Sequence, residues 1–320
     1  MDNQLVSIIT PCYNGGKVVS RYLDSVLNQT YKNIELIFVN DGSTDNTEEV
    51  VLKYKSLFEK KGMKLIYVKQ ENKGLGGAID TGLKYFTGDF LCWADADDFF
   101  HSESVEKRVR FLNENPQYGC VTTNAYVYNE DNLDNPIYQI TDKFKHHEDE
   151  YQFEHHLKSE SIFCCGCHMV RSEAFLDVNP NREIFPARRG QNWQMLLPVY
   201  YKYKRGFLNE NLYNYIIYKN SMSTGDDTKE KRIQRCNEHL EIVENTLNRI
   251  EMNENKRAKY LELFYKKYTI DLFDIYIQYK DVKKGTKEYL KMVKHSTLRK
   301  YDTKSLIKIM IETKLGLGKI

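Results

Sequence analysis

Short apolar runs alternate along the first hundred residues with stretches whose apolar positions recur every three to four residues. Leu5 to Thr10 is a compact apolar run closed by Pro11, which reads as a buried strand leading into a loop. Val18, Val19, Tyr22, Leu23, Val26 and Leu27 then follow at helical spacing. Residues 34–39 form a second run, ending in Asn40-Asp41-Gly42-Ser43-Thr44-Asp45, where Ser43, Thr44 or Asp45 can cap the next helix. Residues 63–68 give a third strand, and a glycine-rich loop over 70–77 opens a helix to about Phe86. Thr87-Gly88-Asp89 turns the chain into a fourth apolar run, residues 90–94. Strands alternating with helices predict an α/β fold: a mostly parallel central sheet with right-handed crossovers, flanked by helices.

A parallel sheet brings the loops after its strands to one edge, where ligands of open α/β sheets gather. Three polar loops fall there: residues 10–14, 40–43 and 95–98. The last reads D-A-D-D and follows a buried strand directly. Asp95, Asp97 and Asp98 would repel one another and raise one another's pKa unless something neutralises them. Mg²⁺ or Mn²⁺ shared with phosphate oxygens would do so. The alternative is an acidic N-terminal cap for a helix beginning near Ser102. On the other two loops Tyr13 can lie against a flat base and Asp41 can accept a hydrogen bond from base or ribose. Turn chemistry alone also accounts for each of them.

Composition narrows the classes. With 320 residues the chain holds one large domain, or a domain with an appendage, and 41% hydrophobic residues suffice for a sizeable core. A net charge of only +2 argues against a dedicated nucleic-acid binder. That charge is uneven: residues 226–320 carry 22 Lys/Arg against 15 Asp/Glu, so the first 225 residues are acidic. Seven cysteines without a paired framework suit a reducing cytosol, and Cys164-Cys165-Gly166-Cys167-His168 lacks the second ligand pair of a zinc finger. The first residues do not read as a signal peptide, and no apolar run is long enough to span a bilayer.

Four stretches carry a resemblance. S-I-I-T-P-C-Y-N (Ser7 to Asn14), V-N-D-G-S-T-D (Val39 to Asp45), Q-E-N-K-G-L-G-G-A (Gln70 to Ala78) and D-A-D-D (Asp95 to Asp98) resemble, in order and at matching spacing, the signatures of family 2 glycosyltransferases of the GT-A fold. The resemblance covers about residues 4 to 130 well and thins to about 225. It implies a Rossmann-like GT-A sheet, a UDP-sugar donor, Mn²⁺ or Mg²⁺, and a single displacement that inverts the anomeric centre. It also implies that Pro11, Tyr13 and Asp41 surround the uridine, that Asn72 and Gly74 lie near base and ribose, and that Asn14 and Lys219 belong to the nucleotide-sugar site. Asp95 would reach the ribose or the metal shell, and Asp97 would bind the metal on the diphosphate. The acceptor would be a saccharide or a lipid-linked saccharide of surface polysaccharide or glycoconjugate assembly.

Two departures stand out. Where the family carries A-R-N-x-G, this chain has Ala78-Ile79-Asp80-Thr81-Gly82, so a cationic phosphate contact is missing. Lys73, Arg171 or Lys219 could replace it. Where the family usually has a Glu-Asp pair supplying the general base, this chain has Gln191 and Asn192, and an amide takes no proton at neutral pH. Asp98 is then the nearest candidate base, with His168 second. Gln191 and Asn192 read as amides contacting donor or acceptor, or as helix caps. Base assistance is worth roughly 10²- to 10⁴-fold, so the replacement also motivates a second class, a nucleotide-sugar-binding module with weak or no chemistry. A sugar nucleotidyltransferase is a third, disfavoured because residues 10–16 offer no basic phosphate loop.

The remaining divisions are coarser. Residues 1–225 are expected to be the catalytic domain, with a nucleotide-sugar half to about 128 and an acceptor half over 129–225. Residues 129–160 read as a solvated loop over the site or a structural insertion. Residues 213–223 read as a strand followed by a polar loop in which Lys219 could meet phosphate. Residues 226–320 read as a basic helical region. Its last helix sets Leu306, Ile307, Ile309, Met310 and Ile311 beside Lys304, Lys308 and Lys314. That pattern suits an anionic membrane surface at the cytoplasmic face, or a packed or partner-contacting helix. A homo-oligomer stays open.

Overall fold

The computed structural model describes residues 4–219, 225 and 227–315. The chain divides into two compact units, Met1–Lys219 and Asn220–Ile320. The first unit begins β1 (Val6–Cys12), α1 (Val19–Leu27), β2 (Ile34–Asp41), α2 (Thr47–Lys60), β3 (Lys64–Gln70), α3 (Gly74–Leu83) and β4 (Phe90–Trp93). Every residue of β1, β2 and β4 is buried, as continuous apolar runs covered on both faces require. β3, β2, β1 and β4 lie side by side and parallel, so their carboxyl ends share one edge.

The chain continues through β5 (Phe99–Phe100), α4 (Ser104–Glu114), β6 (Tyr118–Asn129), β7 (Tyr138–Gln139), α5 (Phe153–Leu157), β8 (His168–Arg171), α6 (Ser172–Val178), α7 (Gln191–Lys202) and β9 (Lys204–Ile217). The sheet has nine strands in the order β3-β2-β1-β4-β8-β6-β9-β5, with β7 paired to β6. β8 runs antiparallel to both β4 and β6, while β6 and β9 are parallel with register shifts. The expected mostly parallel α/β sheet is present, with antiparallel strands added beyond β4.

Two buried charges hold the sheet to its connections. Glu35 accepts hydrogen bonds from Ser7 Oγ and from the Thr87 amide, both at 2.6 Å, tying β1, β2 and the turn into β4 together. Arg108 of α4 is fully buried and donates to the carbonyls of Ser104, Gly166 and His168, each at 3.1 Å. A guanidinium surrounded by carbonyls avoids the penalty of an unpaired buried charge. It also fixes the 3₁₀ turn Cys165–Cys167 beside the end of β4.

Several sequence boundaries shift. The first two strands run on to Cys12 and Asp41, into the stretches read as loops, and the third covers Lys64–Gln70. α3 stops at Leu83. The strand expected from residue 213 is the end of the longer β9, whose first half is polar and gave no apolar signal. The end of the polar loop expected after it, residues 220–223, lies outside the described residues. The segment read as a loop over 129–160 contains β7, a 3₁₀ turn (Ile140–Lys143) and α5.

The second unit holds α8 (Lys229–Arg249), α9 (Glu254–Gln278), α10 (Val282–Lys294) and α11 (Asp302–Lys314). Thr228, Asn253 and Asp281 cap α8, α9 and α10 by accepting from the amides of Lys231, Asn255 and Lys284. Phe273, Met292, Leu306 and Ile309 form its small core, and Arg299 clasps Asp274 and Asp302. No helix among the described residues is long and apolar enough to cross a membrane.

Candidate active site

The carboxyl edge of the parallel strands is knitted together by its own loops. Asn14, in a left-handed conformation (φ 52°), accepts at Oδ1 from the Thr44 amide (2.8 Å), and its amide donates to Ser43 Oγ (2.9 Å). Asp41, nearly buried at the end of β2, accepts at Oδ1 from Gln70 Nε2 (2.7 Å) and from the Lys73 amide (2.8 Å). The first, second and glycine-rich loops are therefore one hydrogen-bonded assembly. Pro11 is buried within β1, whereas the Tyr13 ring is 55% exposed beyond it. Asn72 accepts from the Gly74 amide at 3.2 Å.

The glycine-rich loop packs on the protein itself. Gly74 has φ +76°, and a Cβ there would lie 3.1 Å from Arg188 Cα. Gly76 donates to the Ala187 carbonyl at 2.8 Å, and a Cβ on it would collide with that oxygen. These glycines thus admit residues 185–188, and they bring Arg188 beside the loop.

Asp95, Asp97 and Asp98 follow β4 on the same edge. One carboxylate oxygen from each lies within 4.8 Å of the others. None caps a helix: β5 intervenes, and the residue preceding α4 is Glu103. Asp98 is enclosed, its Oδ1 accepting from the Ile216 amide (2.8 Å), with the buried Tyr213 hydroxyl beside its carboxylate. Burial, with Asp97 and Asp95 as neighbours, raises its pKa well above the usual carboxylate range. Burial also raises Asp95, against a hydrogen bond from the Cys165 thiol. Asp97 is pushed up to about 7 by burial and by Asp95, with Arg21 acting the other way. Three convergent, enclosed acids are a site short of positive charge. Hard oxygen donors of this kind fit Mg²⁺ or Mn²⁺.

Sequence reasoning missed the groups that steady this corner. Arg21 of α1 donates to the Asp97 carbonyl (2.5 Å) and to the Tyr218 hydroxyl (2.8 Å), which itself donates to the Asp97 carbonyl at 3.1 Å. Arg21 flanks the apolar stripe of α1, and nothing local distinguishes it from a solvated surface arginine.

The candidate replacement cations and bases separate clearly. Arg171 pairs across from Phe90, at the amino end of β4, and donates to the carbonyls of Tyr118 and Leu112. It lies at the opposite end of that strand from the acidic corner and cannot meet a phosphate there. The Lys219 ammonium sits on Asp131 at 2.7 Å on an exposed surface. Lys73 stays at the glycine loop through the hydrogen bond its backbone N–H donates to Asp41 Oδ1. His168 is buried, hydrogen-bonded at Nδ1 to Thr122 Oγ1 (3.0 Å), and burial beside His156 holds it far below its ordinary pKa, too weak a base to serve. The three cysteines before it are buried and free.

Gln191 is buried in the first turn of α7, after Gly190 in the left-handed conformation. Asn192 is built into the interior. Its Oδ1 accepts from Trp93 Nε1 (2.7 Å), its Nδ2 donates to the Phe163 carbonyl (2.5 Å), and its own carbonyl meets His156 Nε2 (3.2 Å). The amide expected to contact a ligand thus ties α7 to the last residue of β4 and to α5.

Residues 7–178 match the sequence model of glycosyl transferase family 2. The chain belongs to this family. An uncharacterised glycosyltransferase of Rickettsia prowazekii is 31% identical over 210 residues, covering 65% of this chain and 54% of that protein. Glycosyltransferase GlyA of Streptococcus pneumoniae is 29% identical over 227 residues, 68% of this chain and 31% of GlyA. The Escherichia coli enzyme WfgD, a UDP-Glc:alpha-D-GlcNAc-diphosphoundecaprenol beta-1,3-glucosyltransferase, is 39% identical over 115 residues, 36% of this chain and 44% of WfgD. The chain spans between 25% and 54% of the length of the first five curated relatives. Among solved structures, Staphylococcus aureus TarS 1-349 in complex with UDP-GlcNAc superposes with a TM-score of 0.61 at 15% identity, covering 99% of this chain and 93% of that one. Its likeness is one of fold, the GT-A arrangement of family 2.

Proposed function

We propose that this chain moves a sugar from a UDP-sugar to a saccharide or lipid-linked acceptor in surface polysaccharide or glycoconjugate assembly, by a single inverting displacement. The observation that carries the reading is the trio Asp95, Asp97 and Asp98 on the same sheet edge as Tyr13, Asp41 and the glycine loop. Support for the donor and acceptor classes comes from what WfgD is named to do and from the UDP-GlcNAc held by TarS.

In this reading the exposed Tyr13 ring lies on the uracil, Pro11 and Asn14 shape the wall beside it, and Asp41, Asn72 and Gly74 border base and ribose. Asp97, with Asp95, holds Mn²⁺ or Mg²⁺. Such a cation, when bound, neutralises the diphosphate as the glycosidic bond breaks. Lys73 and Arg188, beside Gly74, supply the positive charge that Ile79 cannot. Asp98 keeps the corner in shape from inside. Its enclosure makes Asp98 poorly placed to take an acceptor's proton. Gln191 lines the acceptor side, and Asn192 positions Trp93 behind the corner. The free cysteines suit work in the cytoplasm. The exposed Leu290, Ile307, Met310 and Ile311 among lysines suit a basic apolar face resting on the inner leaflet.

The test is release of UDP from a panel of UDP-sugars with Mn²⁺, with and without chelator, by the wild type and Asp97→Ala. The reading predicts slow release that stops with chelator and falls at least about 100-fold in the variant, about 2.7 kcal/mol of barrier. Donor binding without turnover against any acceptor would favour the inert binding module instead. Normal turnover by Asp97→Ala would overturn the metal assignment.

A further inference from the structure

A second cluster of metal-ligating side chains lies outside the acidic corner, in the segment leading to α5. His146 Nδ1 is 3.2 Å from Asp149 Oδ2, and His155 Nε2 is 3.1 Å from the same oxygen. One ligand atom from each of the three falls within 4.8 Å of the others. Zinc bonds to imidazole nitrogen and carboxylate oxygen are about 2.0–2.2 Å. The edge of a tetrahedron with such bonds is about 3.3 Å, close to both observed separations. We propose that His146, Asp149 and His155 form a binding site for a divalent transition cation of the zinc class, with solvent completing the coordination.

The site is built from behind by buried groups. Gln152, fully enclosed, donates from Nε2 to the carbonyls of His146 (2.7 Å) and Asp149 (2.8 Å), closing the turn that carries two of the ligands. Buried Arg205 donates to the Asp149 carbonyl at 3.0 Å. Behind the third ligand, Glu160 Oε2 lies 3.6 Å from His155 Nδ1. That is beyond hydrogen-bond distance, and the buried His155 Nδ1 has no hydrogen-bond partner among the described residues. When the ring turns to a cation, Glu160 is the carboxylate near enough to take up this N–H and strengthen the imidazole as a ligand. His147 takes no part: its Nδ1 is held by the Phe144 carbonyl (2.6 Å) and its ring packs edge-on against Phe207.

The rings of His146 and His155 lie nearly parallel, centroids 4.1 Å apart. Coordination requires each to pivot about its Cβ–Cγ bond until the lone pairs converge. That torsion is broad, and part-exposed side chains turn at little cost. Two imidazoles and one carboxylate suit zinc better than the hard cation expected at the all-oxygen corner. Because His156, the next residue of α5, contacts Asn192, cation binding would fasten the segment that abuts α7. The proposal does not depend on the donor reading.

The experiment loads the full chain with Zn²⁺ alone after chelator treatment and measures retained metal in the wild type, Asp97→Asn, the double variant His146→Gln/His155→Gln, and Glu160→Gln. The proposal predicts one tightly held equivalent in the wild type and in Asp97→Asn. It predicts its loss in the double variant, and affinity about tenfold weaker in Glu160→Gln. Zinc-edge X-ray absorption of the one-equivalent wild type checks the ligands without any substitution and should give a nitrogen/oxygen shell with imidazole scattering. Unchanged zinc retention in the double variant, no tight equivalent in the wild type, or a sulfur shell from the cysteines would overturn it, leaving the trio a hydrogen-bonded cluster.

Discussion

Asp97 is an acid whose proton the fold itself holds on. Its carboxyl is raised from 3.8 to about 7 by burial and by Asp95. Between those values the native chain keeps a proton that the unfolded chain has lost. The metal-free protein therefore loses stability as pH rises from about 4 to about 7, and this contribution is gone above that window. Cation affinity runs the other way, rising as the acids deprotonate. In chelator, the melting temperature of the wild type should fall more between pH 5 and pH 8 than that of Asp97→Asn, which carries no titrating proton. Equal slopes would show that Asp97 titrates normally. At this scale the acids were legible, because an apolar run entering three carboxylates is unusual in itself. Arg21, Arg108 and Cys165 were not, because their roles arise from contacts with residues 58 or more positions away in the chain.

The elements of the first hundred residues were readable because each is fully buried or amphipathic, and the apolar period states which. β9 was half missed because it carries Lys204, Arg205, Asn209, Glu210 and Asn211, whose cost in a sheet is offset only by tertiary partners such as the Asp149 carbonyl for Arg205. At the start of α7 the sequence shows an amide but not its partners: Asn192 bridges Trp93 and Phe163 inside the molecule. Asn192→Ala would leave a buried indole N–H without its side-chain acceptor and a carbonyl without its donor, a cost of about 1–3 kcal/mol. Denaturant unfolding should show this loss. An unchanged midpoint with impaired turnover would instead mark Asn192 as a ligand contact.

At the scale of the whole chain, charge and exposure divide. α11 turns Leu306 and Ile309 into the helical core and leaves Ile307, Met310 and Ile311 about half exposed near lysines. Sequence periodicity predicted an amphipathic helix but could not say which apolar residues would be left over, since that depends on where α9 and α10 pack. If this face meets an anionic bilayer, the full chain should float with anionic liposomes. Removal of residues 280–320 should abolish flotation, and raised salt should weaken it. Equal flotation with and without the segment would remove the membrane role.

What the corner after β4 binds decides whether this sheet edge holds a sugar donor. Crystals soaked with UDP and Mn²⁺, with data collected at the manganese absorption edge, read this directly. The expected result is one anomalous peak within bonding distance of Asp97, bridged to the diphosphate, with the uracil against Tyr13. A corner without manganese while UDP occupies the sheet edge, or manganese bound elsewhere, would contradict it.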